Sequence, residues 1–545
     1  VRIIAPLLQD KSTDPGVVVV DELGQVALSL CGGHIAGADA LTQQVAALLG
    51  IAPTLTSASA AYGLPAIDTL GKPFGWQQGQ GDWLGVASAV VRACGALTET
   101  PVIAVEQDCG WDLWQRQLPA THPFAFSPHP NAAASIWISD RYPPTDSSIP
   151  RICWHPRTLW IGLGCERGTP SSTLEQAIRA SLAQANLALE AIAGVASIDL
   201  KEDEIGLIDL VQQRDWPLQL FSAEILATQP VPHPSEIVAG AVGTPSVAEA
   251  AALVAASATD LVVEKQVLRL PGAGACTVAI ARSEREYSPR PGQLLLVGTG
   301  PGAIAQLTPA ARAALAQAEA IVGYQLYVDL VRPLLTPQQI VEASPITQEV
   351  QRADRAIALA RRGLTVAVIS SGDCGIYGMA GLVLERLAAT GWDGQRPQVD
   401  VLPGITALQA AAARLGAPLM HDFCAISLSD LLTPWSAIER RLEAAAAADF
   451  VVALYNPRSR SRTQSIARTR DIFLRHRAPT TPVALARSVY RPDETIRLNT
   501  LGDLDIEEID MVTIVLIGNS QTVRYGDRLI TPRGYNSSIG EMGER

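Results

Sequence analysis

The sequence predicts a multidomain α/β protein, and three observations carry that prediction. Short apolar or β-branched runs alternate with helical runs along most of the chain, the pattern of sheets covered by helices. At 545 residues the chain exceeds one ordinary core, so roughly two to four domains are expected. In the second half, "GTGPG", "SSGDCGIYG", "PGITA" and "YNPRS" mark consecutive strand ends with glycine, proline or asparagine. Ligands of open α/β sheets sit at such ends.

In the first half, "VVVVD" (17–21) and "VALSLC" (26–31) read as short strands. The run "GADALTQQVAALLG" (37–50) places Leu41, Val45, Leu48 and Leu49 on one helical face, the side expected to be buried. "SDRYPPTDSSIPRICWHPR" (139–157) is rich in Pro, Ser and Asp and reads as a connection. "LWIGLG" (159–164) is a strand, and "GTPSSTLEQAIRASLAQANL" (168–187) leads into a helix. Ser172 with Glu175, and later Ser246 with Glu249, have the spacing of a capping box. The charged, proline-bearing "SEREYSPRPG" (283–292) precedes a strong apolar strand, which divides the protein into two halves with separate cores. Strands are expected at 293–298, 320–323, 364–370, 399–402, 424–428, 449–455, 482–486 and 511–517, in largely parallel sheets. The tail "GYNSSIGEMGER" reads as disordered.

The net charge of −12 lies wholly in the first half, where residues 1–292 hold 17 Lys and Arg against 29 Asp and Glu. Residues 293–545 balance 25 Arg against 25 Asp and Glu and contain no lysine. Non-specific nucleic-acid binding wants a basic excess, so no nucleic-acid partner is expected. An all-arginine set suits bidentate recognition of carboxylates, and equally reflects a GC-rich gene. The eight cysteines form no CxxC pair, so neither a zinc ribbon nor an iron–sulfur cluster is expected, and no metal site is assigned. No run reaches the roughly 18–20 apolar residues of a membrane span. Asp10 interrupts the apolar N-terminal stretch, so a cytoplasmic location without membrane contact is expected.

The stretch "LLLVGTGPGAIAQLTPAARAAL" (294–315) satisfies a relaxed dinucleotide fingerprint through Gly298, Gly300 and Ala303. Three features oppose that reading. The N-cap is placed at Thr308 with Pro309 at the first helical position, several residues too late to meet a pyrophosphate. The next strand, "AIVGY", ends in Gly323 and Tyr324 rather than an acidic residue for a ribose. Pro301 removes an amide donor from the loop.

Taken together, "VGTGPGAIAQLTPAA", "SSGDCGIYGMAG", "PGITALQAAAARLGAPLMHDFCAISLSDLLTPW", "YNPRSRSR" and "VTIVLIGNSQT" closely resemble the tetrapyrrole methylase family over about 293–535. Within it they look like the enzymes that methylate C17 of precorrin-3B or cobalt-factor III and contract the ring. The resemblance implies a two-subdomain α/β/α fold of the class III S-adenosylmethionine-dependent methyltransferases, with subdomains at 293–418 and 419–535 and a tail at 536–545. S-adenosylmethionine carries no phosphate, and close backbone approach at glycines suits it. By resemblance, Gly372, Asp373, Gly375, Ile376, Tyr377, Gly378, Thr406 and Ala407 line the cofactor from the first subdomain. Tyr455, Asn456, Ala486 and Thr513 close it from the second. Asp373 is read either as a cofactor contact or as a cap on the following helix. Gly300, Pro301 and Gly302 face the tetrapyrrole, and Arg458, Arg460 and Arg462 meet its carboxylates or form a solvated turn. Cys374 departs from the family, which usually has proline there, and places a thiol near the cofactor.

"LCGGHIAGADALTQQVAALLG", "GLPAIDTLGKPFGW", "IGLGCERGTPSSTLEQAI", "SIDLKEDEIGL" and "VGTPSVAEAAAL" resemble the cobalt-precorrin-5A hydrolase family over about 1–282. That family opens a δ-lactone and releases acetaldehyde. The resemblance implies α/β hydrolase-family domains at 1–138 and 158–282, with linkers at 139–157 and 283–292. Lactone hydrolysis needs an acid/base group and an oxyanion site. His34 in "GGH" is one candidate, with a capping role as its alternative, and Glu166 in "GCERGT" is the other. Lys201 and Glu204 in "KEDE" read either as further candidates or as only a solvated charge run. The substrates implied are corrinoid tetrapyrroles, and the hydrolase favours a cobalt-bearing one; a homodimer through the methylase half is compatible with the resemblance. Two rivals stand beside this reading: another methylase on the same scaffold, and a tetrapyrrole-binding protein whose first half is inactive.

Overall fold

The computed structural model describes residues 4–534 apart from 9–13, 35, 58, 60–61, 96–101, 145–146, 337–338 and 460–462. The tail at 536–545, Arg460 and Arg462 lie outside the described residues. Among the described residues the strands form four five-stranded and two three-stranded sheets, as an α/β multidomain chain requires.

The first sheet pairs Val17–Val20 with Ala27–Cys31 antiparallel and adds Pro53–Thr54 in parallel. Helix Ala38–Leu49 packs on it with a side turned about 90° from the one its leucines suggest. Ala38, Asp39, Thr42 and Ala46 are buried, whereas Leu41, Leu48 and Leu49 are exposed. The cause is polar: the Asp39 carboxylate accepts from Ser29 Oγ at 2.5 Å and Ser57 Oγ at 3.0 Å, which turns that side inward.

The next sheet runs Gln77–Gln78, Arg151–His155, Ala132–Ile138, Val102–Gln107 and Phe124–Ala125. Arg151–His155 falls inside the expected linker 139–157, yet Ile152, Cys153 and Trp154 are buried and pair in parallel with Ala132–Ile138. Pro143, Pro144, Ser147, Ser148 and Pro150 precede this strand and Pro156 follows it. The chain then enters a third sheet, ordered Leu218–Phe221, Ile192–Ile198, Leu159–Cys165, Ala275–Arg282 and Leu261–Arg269. Here the first capping box fails. Helix Ser171–Gln184 is capped at Pro170, and Glu175 bonds Arg179 and Arg214 instead. Ser246 does occupy the N-cap of Val247–Ala256, but its hydroxyl meets Glu249 at 3.3 Å rather than a helix amide.

Residues 283–292 are strapped down rather than free. Tyr287 donates its amide to Arg157 O at 2.7 Å and lies under the Arg157 guanidinium at 4.7 Å. Arg290 forms a bidentate pair with Glu319 at 2.8 and 2.5 Å.

The fourth sheet is wholly parallel, in the order Ile340–Ser344, Ala320–Tyr324, Thr365–Ser370, Gln293–Gly298 and Gln398–Leu402. Its central strands are buried on both faces. Leu295, Val297, Ala367 and Ile369 face helices Pro309–Gln317 and Gln325–Val331. Leu294, Leu296, Val366 and Val368 belong to a core that continues into Ile103, Ile136 and Trp154 of the second sheet. The two halves therefore share a core, contrary to the expectation of separate ones. The fifth sheet, in the order Phe423–Ser427, Val451–Tyr455, Thr513–Ile517, Pro482–Arg487 and Thr495–Thr500, has one parallel pair and is otherwise antiparallel, not parallel as expected.

Candidate active site

The strand ends of the fourth and fifth sheets meet around a cleft of about 260 Å³. Parallel pairing aligns Gly298 with Ser370 and Val297 with Leu402, so three loops leave the fourth sheet side by side. They touch backbone to backbone. Gly300 and Gly372 exchange both amide hydrogen bonds, at 3.0 and 2.7 Å. A Cβ on Gly298 would lie 2.6 Å from Gly404 N, and one on Gly404 would lie 2.1 Å from Gly372 O. No larger residue fits either position without moving backbone.

Gly372, Asp373, Ile376, Tyr377, Thr406 and Ala407 border the cleft from this side. Tyr455, Asn456, Ala486 and Thr513 border it from the fifth sheet. Gly375 and Gly378 shape the loop from behind: the Gly375 amide bonds Asp373, and a Cβ on Gly378 would meet Cys374 O at 2.5 Å. Asp373 does not cap the next helix. Its carboxylate accepts Gly375 N at 2.8 Å and Gly404 N at 3.0 Å, bracing two loops together while bordering the cleft.

Tyr455 joins the two subdomains. Its hydroxyl shares a 2.6 Å hydrogen bond with Thr406, the N-cap of Ala407–Leu415, and accepts Leu408 N at 3.0 Å. Burial raises its pKa above that of an ordinary phenol. The Tyr377 ring lies 5.0 Å from it. Tyr377, Asn456 and Ser488, all on the cleft, have φ of 53°, 50° and 48°. Non-glycine residues in the left-handed region concentrate where surrounding structure over-determines them, often at functional sites.

The structure adds residues that the sequence did not single out. Tyr324 and Tyr327 stack edge to face at 5.0 Å on the cleft wall. Arg491 reaches across from the second subdomain, donating to Pro301 O at 2.9 Å and Ser371 Oγ at 3.3 Å. Its aliphatic stem packs on Gly302, where a Cβ would lie 2.7 Å from Arg491 Cγ. Pro301 borders the cleft. Arg458 turns to Ile506 O and Glu507, at 2.8 and 2.7 Å, rather than into the cleft. The Cys374 thiol also turns away. It is buried, donates to Leu296 O at 3.1 Å, and burial followed by the Asp373 charge pushes its pKa up to about 11.

The donor set fits S-adenosylmethionine better than a dinucleotide. The loops approach through backbone and hydroxyl groups, the aromatic faces suit a sulfonium, and Arg491 is already bonded to Pro301 and Ser371. Thr308 caps Pro309–Gln317 by accepting Ala311 N at 3.1 Å, so that helix begins beyond the glycine loop.

In the first half, His34 follows strand Ala27–Cys31 and faces two cavities. It caps no helix, for Gly37 is the N-cap of Ala38–Leu49. Its Nε2 lies 3.0 Å from Ser59 Oγ and 3.4 Å from Asp39 Oδ2, and its Nδ1 lies 3.5 Å from Asp68 Oδ1. Glu166 is elsewhere, on the third sheet, where its carboxylate accepts Ala275 N at 3.1 Å. Neither cavity beside His34 includes it. Lys201 and Glu204 are not a solvated run: Glu204 is buried, pairs with Lys201 at 3.1 Å and accepts Gly168 N at 2.8 Å.

Four stretches match family models. Residues 293–505 match Tetrapyrrole (Corrin/Porphyrin) Methylases. Residues 1–60, 65–156 and 159–281 match the Cobalamin synthesis G N-terminal, the Cobalamin biosynthesis central region and the Cobalamin synthesis G C-terminus. A cobalt-factor III methyltransferase of Priestia megaterium is 51% identical over 245 residues, covering 45% of each chain. The present chain thus spans about half the length of that relative. A probable cobalt-factor III C(17)-methyltransferase of Salmonella typhimurium is 48% identical over 242 residues, which are 44% of this chain and 99% of that protein. Among solved structures, the methyltransferase CobJ is 42% identical, covering 44% of this chain and all of that one, with a TM-score of 0.43.

Proposed function

The chain belongs, through its second half, to the tetrapyrrole methylase family, and from that premise we propose that it is a bifunctional enzyme of cobalamin biosynthesis. The second half transfers a methyl group to C17 of cobalt-factor III or precorrin-3B with ring contraction. The first half opens the δ-lactone of cobalt-precorrin-5A and releases acetaldehyde. The hydrolase belongs to the oxygen-independent route, which favours the cobalt-bearing substrate. The two reactions are not consecutive in that route, so no direct hand-over between the halves is implied.

The observation that carries the methyltransferase reading is the cleft itself. Loops from two sheets bring Gly372, Asp373, Ile376, Tyr377, Thr406, Ala407, Tyr455, Asn456, Ala486 and Thr513 around one space. S-adenosylmethionine, when bound, supplies an electrophilic methyl on sulfur. The chain's own part is orientation. Tyr455 and Thr406 tie the two subdomains across the cleft. Asp373 holds two glycine loops in register. Gly300, Pro301 and Gly302, locked by Arg491, form the rim on which the macrocycle rests. Methyl transfer to carbon depends on in-line approach, so positioning supplies most of the catalysis. Arg290, Arg355, Arg386, Arg414 and Arg487 are paired with the chain's own Asp and Glu and are not held out to the substrate's carboxylates.

Titration calorimetry of the full chain tests the cleft. S-adenosylmethionine should bind, and NADH should give no heat. Binding of NADH with none of S-adenosylmethionine would refute the reading.

A further inference from the structure

His34 is the meeting point of two cavities. One, of about 490 Å³, lies within the first half between Cys31–His34, Thr56–Ser57 and Ala66–Asp68. The other, of about 470 Å³, has Gly33, His34 and Asp39 on one wall and Ala316, Gln339 and Leu364 of the methylase half on the other. Both volumes fall in the ordinary range of ligand sites, roughly 300–1,000 Å³. His34 is the polar group common to the two, and it is partly shielded, with 25% of its side chain exposed.

The groups around its ring are placed on opposite nitrogens. Ser59 Oγ is 3.0 Å from Nε2, within reach for proton transfer. Asp68 Oδ1 is 3.5 Å from Nδ1, on the other edge of the ring. A hydroxyl on one nitrogen and a carboxylate on the other is the arrangement that activates a serine nucleophile, recognised by geometry rather than by chain order. Asp39 places a second carboxylate 3.4 Å from Nε2, itself held by Ser29 and Ser57. Gly32 and Gly33 border the same cavity.

We infer that Ser59, His34 and Asp68 form an ester-cleaving centre in the cavity of the first half that all three border. The inference rests on the lactone-opening reading for its natural substrate, not for the centre itself. Ser59 Oγ adds to the ester carbonyl while its proton passes to His34 Nε2. The carbonyl carbon then loses the ring oxygen, which leaves as an alcohol with that proton. Water, deprotonated by the same nitrogen, cleaves the acyl-serine to a carboxylate and restores the hydroxyl.

The test uses the full chain with two independent readouts. A fluorophosphonate probe, which needs no knowledge of the substrate, should label Ser59 in an intact-mass measurement. Labelling should vanish in Ser59→Ala and fall in Asp68→Asn. Acetaldehyde release from cobalt-precorrin-5A should fall by on the order of 1,000-fold in Ser59→Ala. Circular dichroism melting reports folding, and labelling of the unaltered chain keeps the test decisive where a variant does not fold. Labelling at Ser59 without acetaldehyde release by the unaltered chain supports the centre and refutes the lactone reading. Release that survives Ser59→Ala, with no labelling, overturns the centre and leaves the lactone reading standing. Absence of both labelling and release overturns both.

Discussion

At Cys374, where the resemblance implies proline, the environment shows how a cysteine is accommodated. The thiol is buried against the carbonyls of Leu296 and Leu402, so it fills the turn as a small apolar group with a weak donor. That direction could not be read from the sequence, which placed the thiol near the cofactor. Because burial raises its pKa from the ordinary 9.0 to about 11, the folded state keeps a proton that the unfolded chain releases above pH 9. Stability is therefore fully present below pH 9 and declines as the pH rises toward 11. The melting temperature should fall across that window, and less steeply in Cys374→Ala. Iodoacetamide at pH 8 should leave Cys374 unmodified in the native protein.

Asp373 was legible as important but not in its role. Its two oxygens meet two backbone amides from different loops, Gly375 and Gly404, and only the fold brings those loops together. Asp373→Asn turns an amide group toward one of these donors and leaves a hydrogen bond unmade. Affinity for S-adenosylmethionine should drop about tenfold, near 1.4 kcal/mol. Calorimetry with an unchanged affinity would remove the bracing role.

Among elements, the parallel fourth sheet was the most legible because its central strands are continuous apolar runs, buried on both faces. The fifth sheet was misread as parallel. Strand direction depends on how the connections return, and "TIRLNT" (495–500) carries too little apolar character to announce the strand that pairs antiparallel with Pro482–Arg487. Arg491 escaped notice for a related reason: in "SVYRPDE" it reads as a turn residue, and only the closing of the two subdomains brings it to Pro301. Helix Ala38–Leu49 misled through its leucines, since hydrophobic periodicity is blind to the Asp39 hydrogen bonds that decide which side turns inward. The glycine loops were legible by residue type, and the structure gives the reason at Gly298. Gly298→Ala would place a methyl group 2.6 Å from Gly404 N, with only backbone to yield. This substitution should cost about 1–3 kcal/mol and weaken S-adenosylmethionine binding in calorimetry, with little effect on fluorophosphonate labelling.

Across the whole molecule, the seam between the halves is apolar and specifically tied. Trp111 of the first half lies 3.8 Å beneath the Arg362 guanidinium, and Arg116 bonds Glu342 at 3.1 Å. Ile103 and Trp154 share a core with Leu294 and Val366. The Salmonella relative covers this second half almost alone, so a 293–534 fragment should fold and bind S-adenosylmethionine. It would expose one face of the shared core, and it should melt below the full chain in calorimetric scans. Trp111→Ala in the full chain should lower stability by about 2 kcal/mol or more through the same surface.

The central claim is that this chain alters a tetrapyrrole rather than merely holding it. It is tested most directly by incubating the full chain with S-adenosylmethionine and cobalt-factor III and following the macrocycle by mass spectrometry. The expected product carries one added methyl at C17 on a contracted ring, and it does not form when S-adenosylmethionine is omitted. Recovery of unaltered cobalt-factor III from a complex that binds both molecules would contradict the claim.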